Sequence, residues 1–465
     1  MPTADKTAIK RATLAAHKAI EDLDADALES LREAYTKVAD EITQQISAHA
    51  GTDDRLALTE MRSLLGEIER RLRQLSDERD RLLDAALRQA AQEGVAVFDA
   101  APRLADEAFR FVHSFIAADG LQLSDRIWRL DRGARDAVIN AVEQAVIQGH
   151  GASQAAREFL ARGLPVPEDV QEKLGAANAA RVGNTVRERL LTGQGTPLYN
   201  ALRLFRTEIN RAHGEAYMAA GAGHPDFAGW RFLLSPAHPK PDICDLLARQ
   251  NLYGLGPGVY PNREKCPWPA HPNTLSFLEI VFKDEISAGD QAGKETPTEA
   301  LAKLTPAQRE GALGKAKAEV FDDGRLRQGM IRAPWRAVRE RLGGDFVPAY
   351  ERARRLPGAD EAQIDERKVL GYALNPDHPV GGNKARRFKA ALGYDQSNAG
   401  ELLAAIRAAL PTARARRGVQ DKHGQRYSVD LALTGPSGAA VVRTGWIVEA
   451  QGTAPRLTSL YVHRS

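Results

Sequence analysis

The sequence predicts a mainly α-helical N-terminal and middle region around a small strand-containing core, followed by a separate α+β C-terminal domain with an antiparallel meander. Three observations carry this expectation. Apolar residues recur at helical spacing over residues 1 to about 220. From 226 to 282 that periodicity gives way to glycine, proline and aromatic residues. The last hundred residues return to helical runs and then to three short β-prone runs separated by turn residues. A chain of 465 residues is long for one domain and suggests two to four. We divide it into an N-terminal helical region (1–100), a core (101–285), a helical extension and linker (286–357) and an α+β accessory domain (358–465).

The clearest helical repeat is Met61, Leu65, Ile68, Leu72, Leu75 and Leu82, in alternating steps of four and three, with Arg79 interrupting the seam. Glu67, Glu69, Arg70, Arg71, Arg73, Asp77, Glu78, Asp80 and Arg81 lie between and suit a solvated face. Fewer than four clean heptads favour an intramolecular hairpin over pairing with another chain. Further helices are expected at 99–118, 132–149, 152–163 and 170–192, and another from about 198. Trp230-Arg231-Phe232-Leu233-Leu234 and residues 275–282 read as strands that pair, with about 40 residues of loop between them. Thr305-Pro306 opens a further helix, with Thr305 as cap. In the C-terminal domain, helices are expected at 382–392 and 398–410. Strands follow at 426–433, 439–450 and 456–463, and their short loops imply a meander with the helices on one face.

Composition narrows the function classes. Hydrophobic residues make up 43% and charged residues 27%, as in ordinary soluble domains, and no apolar run reaches the length of a membrane span. The first residues lack an apolar stretch, so no signal peptide is expected. Two cysteines argue against a secreted disulfide scaffold and for a reducing cytoplasm. The net charge of +3 is too small to imply nucleic-acid binding by the whole chain, but residues 361–465 carry 15 Lys/Arg against 9 Asp/Glu. That basic domain fits either contact with nucleic acid or a solubilising face.

Both cysteines fall in the long loop, each near a His-Pro dipeptide. His238, Cys244, Cys266 and His271 make a Cys2His2 set, with Asp242 as a fifth candidate. Four N or S donors suit a structural zinc, which would close an otherwise unsupported loop. The spacing is not that of a short C-x2-C pair, and a buried cysteine is often only a small hydrophobe. Glu264 and Asp245 could serve as bases, but no H-E-x-x-H pair suggests a catalytic zinc, and no third residue orients a Cys/His nucleophile.

The stretch 205–276 resembles the phage Mu F-like head-morphogenesis (minor capsid) proteins. The matching residues are Arg206, Thr207, Glu208, Arg211 and Ala212, then Trp230, Asp242, Cys244, His271 and Pro272. The sequence departs from that family at Thr274 and Ser276, which stand where it often has cysteines; Cys266 is a candidate substitute. With the trailing helix from Leu304, the resemblance covers about residues 100–335. It implies a structural virion protein in the capsid interior or at the portal vertex. Head assembly, and DNA packaging or ejection, would be its work. The partners would be the portal protein and the major capsid protein, with packaged DNA on the basic C-terminal domain and no membrane. From the residues themselves, Glu208 and Arg211 share a helix face and could tie that helix to the loop beneath.

Residues 366–463, from the Leu374–Phe388 stretch to Pro455–Tyr461, resemble an uncharacterised domain found in some phage head proteins and polymorphic toxins. A helix-then-meander layout is also similar to barnase/RelE-like ribonucleases, which raises an injected ribonuclease effector as the alternative. No residue is asserted as catalytic. In that alternative His378, His423 or Lys384 would move protons, Arg443 and Arg456 would hold a phosphate, and Thr458 would orient it.

Overall fold

A computed structural model describes residues 3–463 except 53, 57–60, 118, 163, 177, 345, 450–451 and 453. The chain forms two compact units, Met1–Ala312 and Leu313–Ser465. Among the described residues no helix is long and apolar enough to cross a membrane.

The first unit is a helical bundle carrying a small sheet. Its helices are α1 (Thr3–Ala48), α2 (Met61–Ala96), α3 (Arg103–Ser114), α4 (Leu123–Ala161), α5 (Glu168–Ala176), α6 (Ala179–Leu191) and α7 (Pro197–Gly221). Helix α7 runs through the middle and packs on α1, α2, α3, α4 and α6. Thr196 caps it by accepting from Tyr199 N–H, and Pro197 occupies its first turn.

The α2 seam finds its partner within the chain. Ile68 and Leu75 are buried in one cluster with Leu31, Tyr35, Val38 and Ile42 of α1, so the hairpin forms. Arg79 does not break the seam as the heptad suggested. It is 1% exposed, donating to Asp131 Oδ1 on α4 at 2.7 Å and to Asp80 Oδ1 at 2.6 Å. A guanidinium can enter a core when its donors meet carboxylates there. Asp80 keeps the solvated place expected of it, with its side chain 44% exposed, and meets the buried guanidinium from the surface.

The helices expected at 132–149 and 152–163 are one helix, α4; Gly163 lies outside the described residues. A Cβ on Gly151 would meet nothing within 4 Å, so the glycine costs only helix propensity, about 1 kcal/mol. The run 170–192 is instead two helices, because Asn178 starts α6 afresh by capping Arg181 N–H.

The sheet comprises β1 (Phe227–Leu233), β2 (Val259–Tyr260) and β3 (Phe277–Phe282), in the order β2-β1-β3 and antiparallel. Trp230 lies opposite Ile280 and Tyr260 and is 1% exposed. Helix α8 (Ile243–Arg249) stands between β1 and β2. Tyr217 fastens sheet to bundle: its hydroxyl pairs with Thr13 Oγ1 at 2.9 Å and accepts from Ile280 N–H at 3.0 Å. Short helices α9 (Ala288–Ala292), α10 (Pro297–Ala302) and α11 (Pro306–Leu313) follow. Thr305 and Gln308 cap α11 reciprocally.

The second unit contains α12 (Lys315–Asp322), α13 (Trp335–Arg341), α14 (Ala349–Arg352), α15 (Glu366–Lys368), α16 (Gly382–Leu392) and α17 (Ala399–Ala409). Four strands follow: β4 (Ala415–Asp421), β5 (Gly424–Gly435), β6 (Gly438–Val448) and β7 (Arg456–Val462). The strands form a meander in sequence order. Val429, Leu431, Val442, Trp446 and Leu460 make one core with Phe388 and Leu392 of α16 and Leu402 and Ile406 of α17. The compact units divide earlier than the sequence boundary near Pro357. Leu356 is buried in the C-terminal core and Ala415 N–H donates to the Arg354 carbonyl, so the segment before Pro357 is tied in.

Candidate metal centre

Helix α7 and the loop that follows β1 are joined by side chains of the 206–215 stretch. Arg206 donates to Asn273 Oδ1 at 3.1 Å and to Asp24 Oδ2 at 2.8 Å. Thr207 Oγ1 accepts from Asn273 N–H at 2.9 Å, and Asn210 Nδ2 donates to the Thr274 carbonyl at 3.1 Å. Trp268 Nε1 donates to the Asn210 carbonyl at 3.1 Å. Arg263 forks onto the Glu215 carboxylate. The pair expected to make this tie does not make it. Arg211 Nε donates to Glu208 Oε2 at 2.9 Å, and its guanidinium lies over Phe115 of the α3–α4 connection. Residues one helical step away point at the loop instead.

This scaffold brings a group of donors together. Asp242 is the N-cap of α8, in a reciprocal box: its Oδ1 accepts from Cys244 N–H at 2.7 Å, and Asp245 Oδ2 accepts from Asp242 N–H at 2.9 Å. That box aims the other Asp242 oxygen, Oδ2, at His271 Nε2, 3.1 Å away. Cys244 Sγ lies 3.2 Å from the same nitrogen. Asp242, Cys244 and His271 therefore offer O, S and N atoms within one coordination sphere. His238 Nε2 lies 3.1 Å from Asp245 Oδ2 and 3.9 Å from Asp242 Oδ1, forming an adjoining group that shares Asp242.

Of the four expected ligands, then, Cys244 and His271 come together, His238 stands next to them, and Cys266 stands apart. Cys266 is 3% exposed in an apolar cluster with Trp230, Phe232, Tyr260 and Trp268. Burial pushes its thiol up to about 12. It is a core hydrophobe, not a ligand. Asp242 takes its place. The sequence signal was the spacing Asp242-Ile-Cys-Asp245, a helix-start box that holds the first carboxylate rigid.

Proton placement fits a metal ligand. His271 Nδ1 lies 2.9 Å from the Pro272 carbonyl, which can only accept, so Nδ1 carries hydrogen and Nε2 faces the group. That is the orientation a zinc-binding imidazole needs. Without metal, the Asp242 carboxylate and the Cys244 sulfur hold the His271 proton, raising it to about 10. Burial opposes ionisation of Asp242, but His271 and the Cys244 N–H bring its carboxyl down to about 2. The donor set is therefore prepaired around a positive charge, which a divalent cation would replace. Cys244 is fully buried and Thr274 Oγ1 lies 3.7 Å from its sulfur, so position 274 faces the centre. Ser276 is buried with its hydroxyl unpartnered.

The residues considered for nuclease chemistry are all in the second unit. Arg443 forks onto Asp430 at 2.6 and 2.8 Å, and Arg456 donates to Glu449 at 2.9 Å. His423 is exposed at the β4–β5 turn. Thr458 and Ser459 turn their hydroxyls toward Gly445. His378 and Lys384 each lie against the Tyr372 ring, at 4.8 and 4.6 Å.

The architecture is thus a helical bundle with a clamped, sheet-bearing loop, plus a helix-on-meander domain. Residues 355–464 match the profile of a domain of unknown function, DUF6883, an interval that spans the whole meander domain. No curated protein and no solved structure matches the chain.

Proposed function

We propose that this chain is a structural virion protein, a minor capsid or head-morphogenesis protein working at the portal vertex or in the capsid interior. Its partners are the portal protein and the major capsid protein, and packaged DNA meets the basic C-terminal domain. The observation that carries this reading is the use made of the 205–276 motif. Residues of the 205–276 stretch are spent on holding one another: Arg206 and Thr207 grip Asn273, while Asp242, Cys244 and His271 form a group that could hold a metal ion. A stretch whose polar side chains close on one another rather than line an open cleft suits a protein whose task is assembly.

A structural zinc at Asp242, Cys244 and His271 would staple the start of α8 to the His271 end of the loop. Zinc there supplies cross-linking energy; the chain's own groups orient His271 and exclude water from Cys244.

The test is to purify heads from a lysate in which the gene is expressed with its neighbours, and to assay them by mass spectrometry and by particle reconstruction. The chain in proheads or filled heads, with density at the portal periphery, is the expected result. Its absence from both classes of head overturns the reading.

A further inference from the structure

The second unit holds an ammonium and an imidazole against one aromatic ring, and its own fold gives the ammonium no carboxylate among the described residues. Lys384 stands in the first turn of α16 and is half-buried. Its ammonium lies over the Tyr372 ring, 4.6 Å from the centroid, and 5.8 Å from that of Tyr461 on the edge strand β7. Among the described residues no carboxylate lies within 4.0 Å of it. Arg443 and Arg456 are satisfied by Asp430 and Glu449, and Lys368 by the Leu457 carbonyl. A half-buried ammonium held only by ring faces keeps most of its field available to an incoming anion.

His378 adds a second donor beside the same ring. Its imidazole meets Tyr372 edge-on at 4.8 Å. Its Nδ1 receives two backbone N–H groups, from Val380 at 3.2 Å and Gly381 at 3.0 Å. Amides only donate, so Nδ1 must accept, and the neutral ring carries its proton on Nε2. That N–H has no partner among the described residues. The loop holding it is closely folded: a Cβ on Gly381 would collide with the Tyr372 carbonyl, and one on Gly382 would lie 2.5 Å from that of Pro376. Two donors are thus fixed around one phenol ring with no acceptor of their own.

The surface next to this pair is open and polar. Strand alternation places Arg443, Gly445, Ser459 and Tyr461 on the face away from the helices, with Arg443 opposite Tyr461 and Gly445 opposite Ser459. A Cβ at Gly445 would lie 2.6 Å from Ser459 Oγ and 3.0 Å from Thr458 Oγ1, so the glycine leaves these hydroxyls uncovered. Arg416 and Arg417 lie exposed on β4 of the same sheet. The domain carries 15 basic against 9 acidic residues over 361–465. An extended polyanion is favoured over a single small anion by that spread of charge, hydroxyls and phenols.

We propose that Lys384 and His378 form a phosphate subsite for the backbone of a nucleic-acid strand, at the rim of the β4–β7 sheet beside Tyr372 and Tyr461. Lys384 supplies the charge, the His378 Nε2–H supplies a directed hydrogen bond, and the two rings border the strand. This inference stands on the C-terminal unit alone and is independent of where the protein resides in a particle.

The experiment is fluorescence anisotropy of labelled single-stranded RNA, single-stranded DNA and duplex DNA with the full-length protein at low and moderate salt. Lys384→Met keeps the side-chain stem over Tyr372 but removes the charge. It should weaken strand binding about tenfold and lower the salt slope by about one. Lys389→Gln removes an equal charge from the exposed face of the same helix and should change affinity less than about twofold. His378→Asn keeps an acceptor for the loop amides while removing Nε2–H, and should weaken binding at unchanged melting temperature. A preference among the three strands identifies the source of the phosphate, and any of the three supports the subsite. Equal losses in Lys384→Met and Lys389→Gln, or no binding of any of the three strands, overturns it.

Discussion

Replacing Gly214 with alanine sets helix propensity against packing, and the two have opposite signs. Gly214 lies inside α7, where alanine is favoured by about 1 kcal/mol. On that ground alone the variant should be more stable. But α7 passes directly under Trp268 of the metal loop. A Cβ at Gly214 would overlap the indole nitrogen and come within 2.5 Å of Cδ1 and 2.7 Å of Cε2. Helix backbone cannot withdraw without disturbing Arg206, Thr207 and Asn210, so the indole must move. Trp268 is 5% exposed and donates to the Asn210 carbonyl. Loss of much of its burial costs about 3 kcal/mol, and its hydrogen bond about 1 kcal/mol more. Less the propensity gain, the expected destabilisation is about 2–4 kcal/mol. Urea unfolding followed by far-UV circular dichroism gives the free energy, and acrylamide quenching reports tryptophan exposure. Gly66→Ala and Gly133→Ala are matched controls: both are helical and a Cβ on either meets nothing within 4 Å, so both should be stabilising. A Gly214→Ala protein as stable as its parent, with unchanged quenching, would refute the reasoning.

Three further outcomes follow from the geometry. Cys244→Ser should abolish stoichiometric zinc in elemental analysis, whereas Cys266→Ser should leave it intact; Thr274→Cys, which places a second sulfur beside Cys244, should tighten zinc in chelator competition. His213 is half-buried, and desolvation lowers it from 6.5 to about 4. Its stabilising contribution is complete above about pH 6.5 and is lost as pH falls toward 4, because the unfolded chain takes up the proton first; by about pH 5 the loss reaches about 2 kcal/mol, and His213→Phe should flatten that slope in urea melts. Arg79→Ala should cost about 2–3 kcal/mol, since it opens a cavity while the partly exposed Asp131 and Asp80 turn to water, whereas Arg79→Met, which refills that space, should be milder in the same melts.

Legibility in the sequence tracked how local the determining physics is. Helix 382–392 and strands β5, β6 and β7 could be read from runs and turn residues because their signals lie within a few positions. Strand β4 was missed because Ala415–Asp421 carries no apolar alternation; six of its seven residues are exposed, and only pairing with β5 makes it a strand. The joining of two expected helices into α4 escaped because a glycine at an open site reads as a break when it is only a weak point. In the metal loop, cysteine chemistry pointed at Cys266 and Cys244 alike. What separates them is which wall each thiol faces, and that is fixed by Trp268 and Gly214 across a contact of more than fifty residues. Asp242 owes its place to the local helix-start box of α8, which the sequence did carry.

The Tyr217 hydroxyl joins Thr13 to Ile280, and Ile9 and Ala16 of α1 belong to the same apolar cluster as Phe232, Ile280 and Phe282. During synthesis, that face of α1 leaves the ribosome more than two hundred residues before the strand it covers. Through that interval the part of its apolar stripe that the sheet covers stays open, with only Val97, Tyr217 and Met218 of the same cluster made earlier, and the β1–β3 pair has no floor until α1 docks. Folding of this unit is therefore an end-joining event of high contact order, finished only when the β3 strand has emerged. A fragment beginning near residue 100 would carry the motif-bearing helix, the metal loop and the sheet, yet lack the segment that closes beneath them.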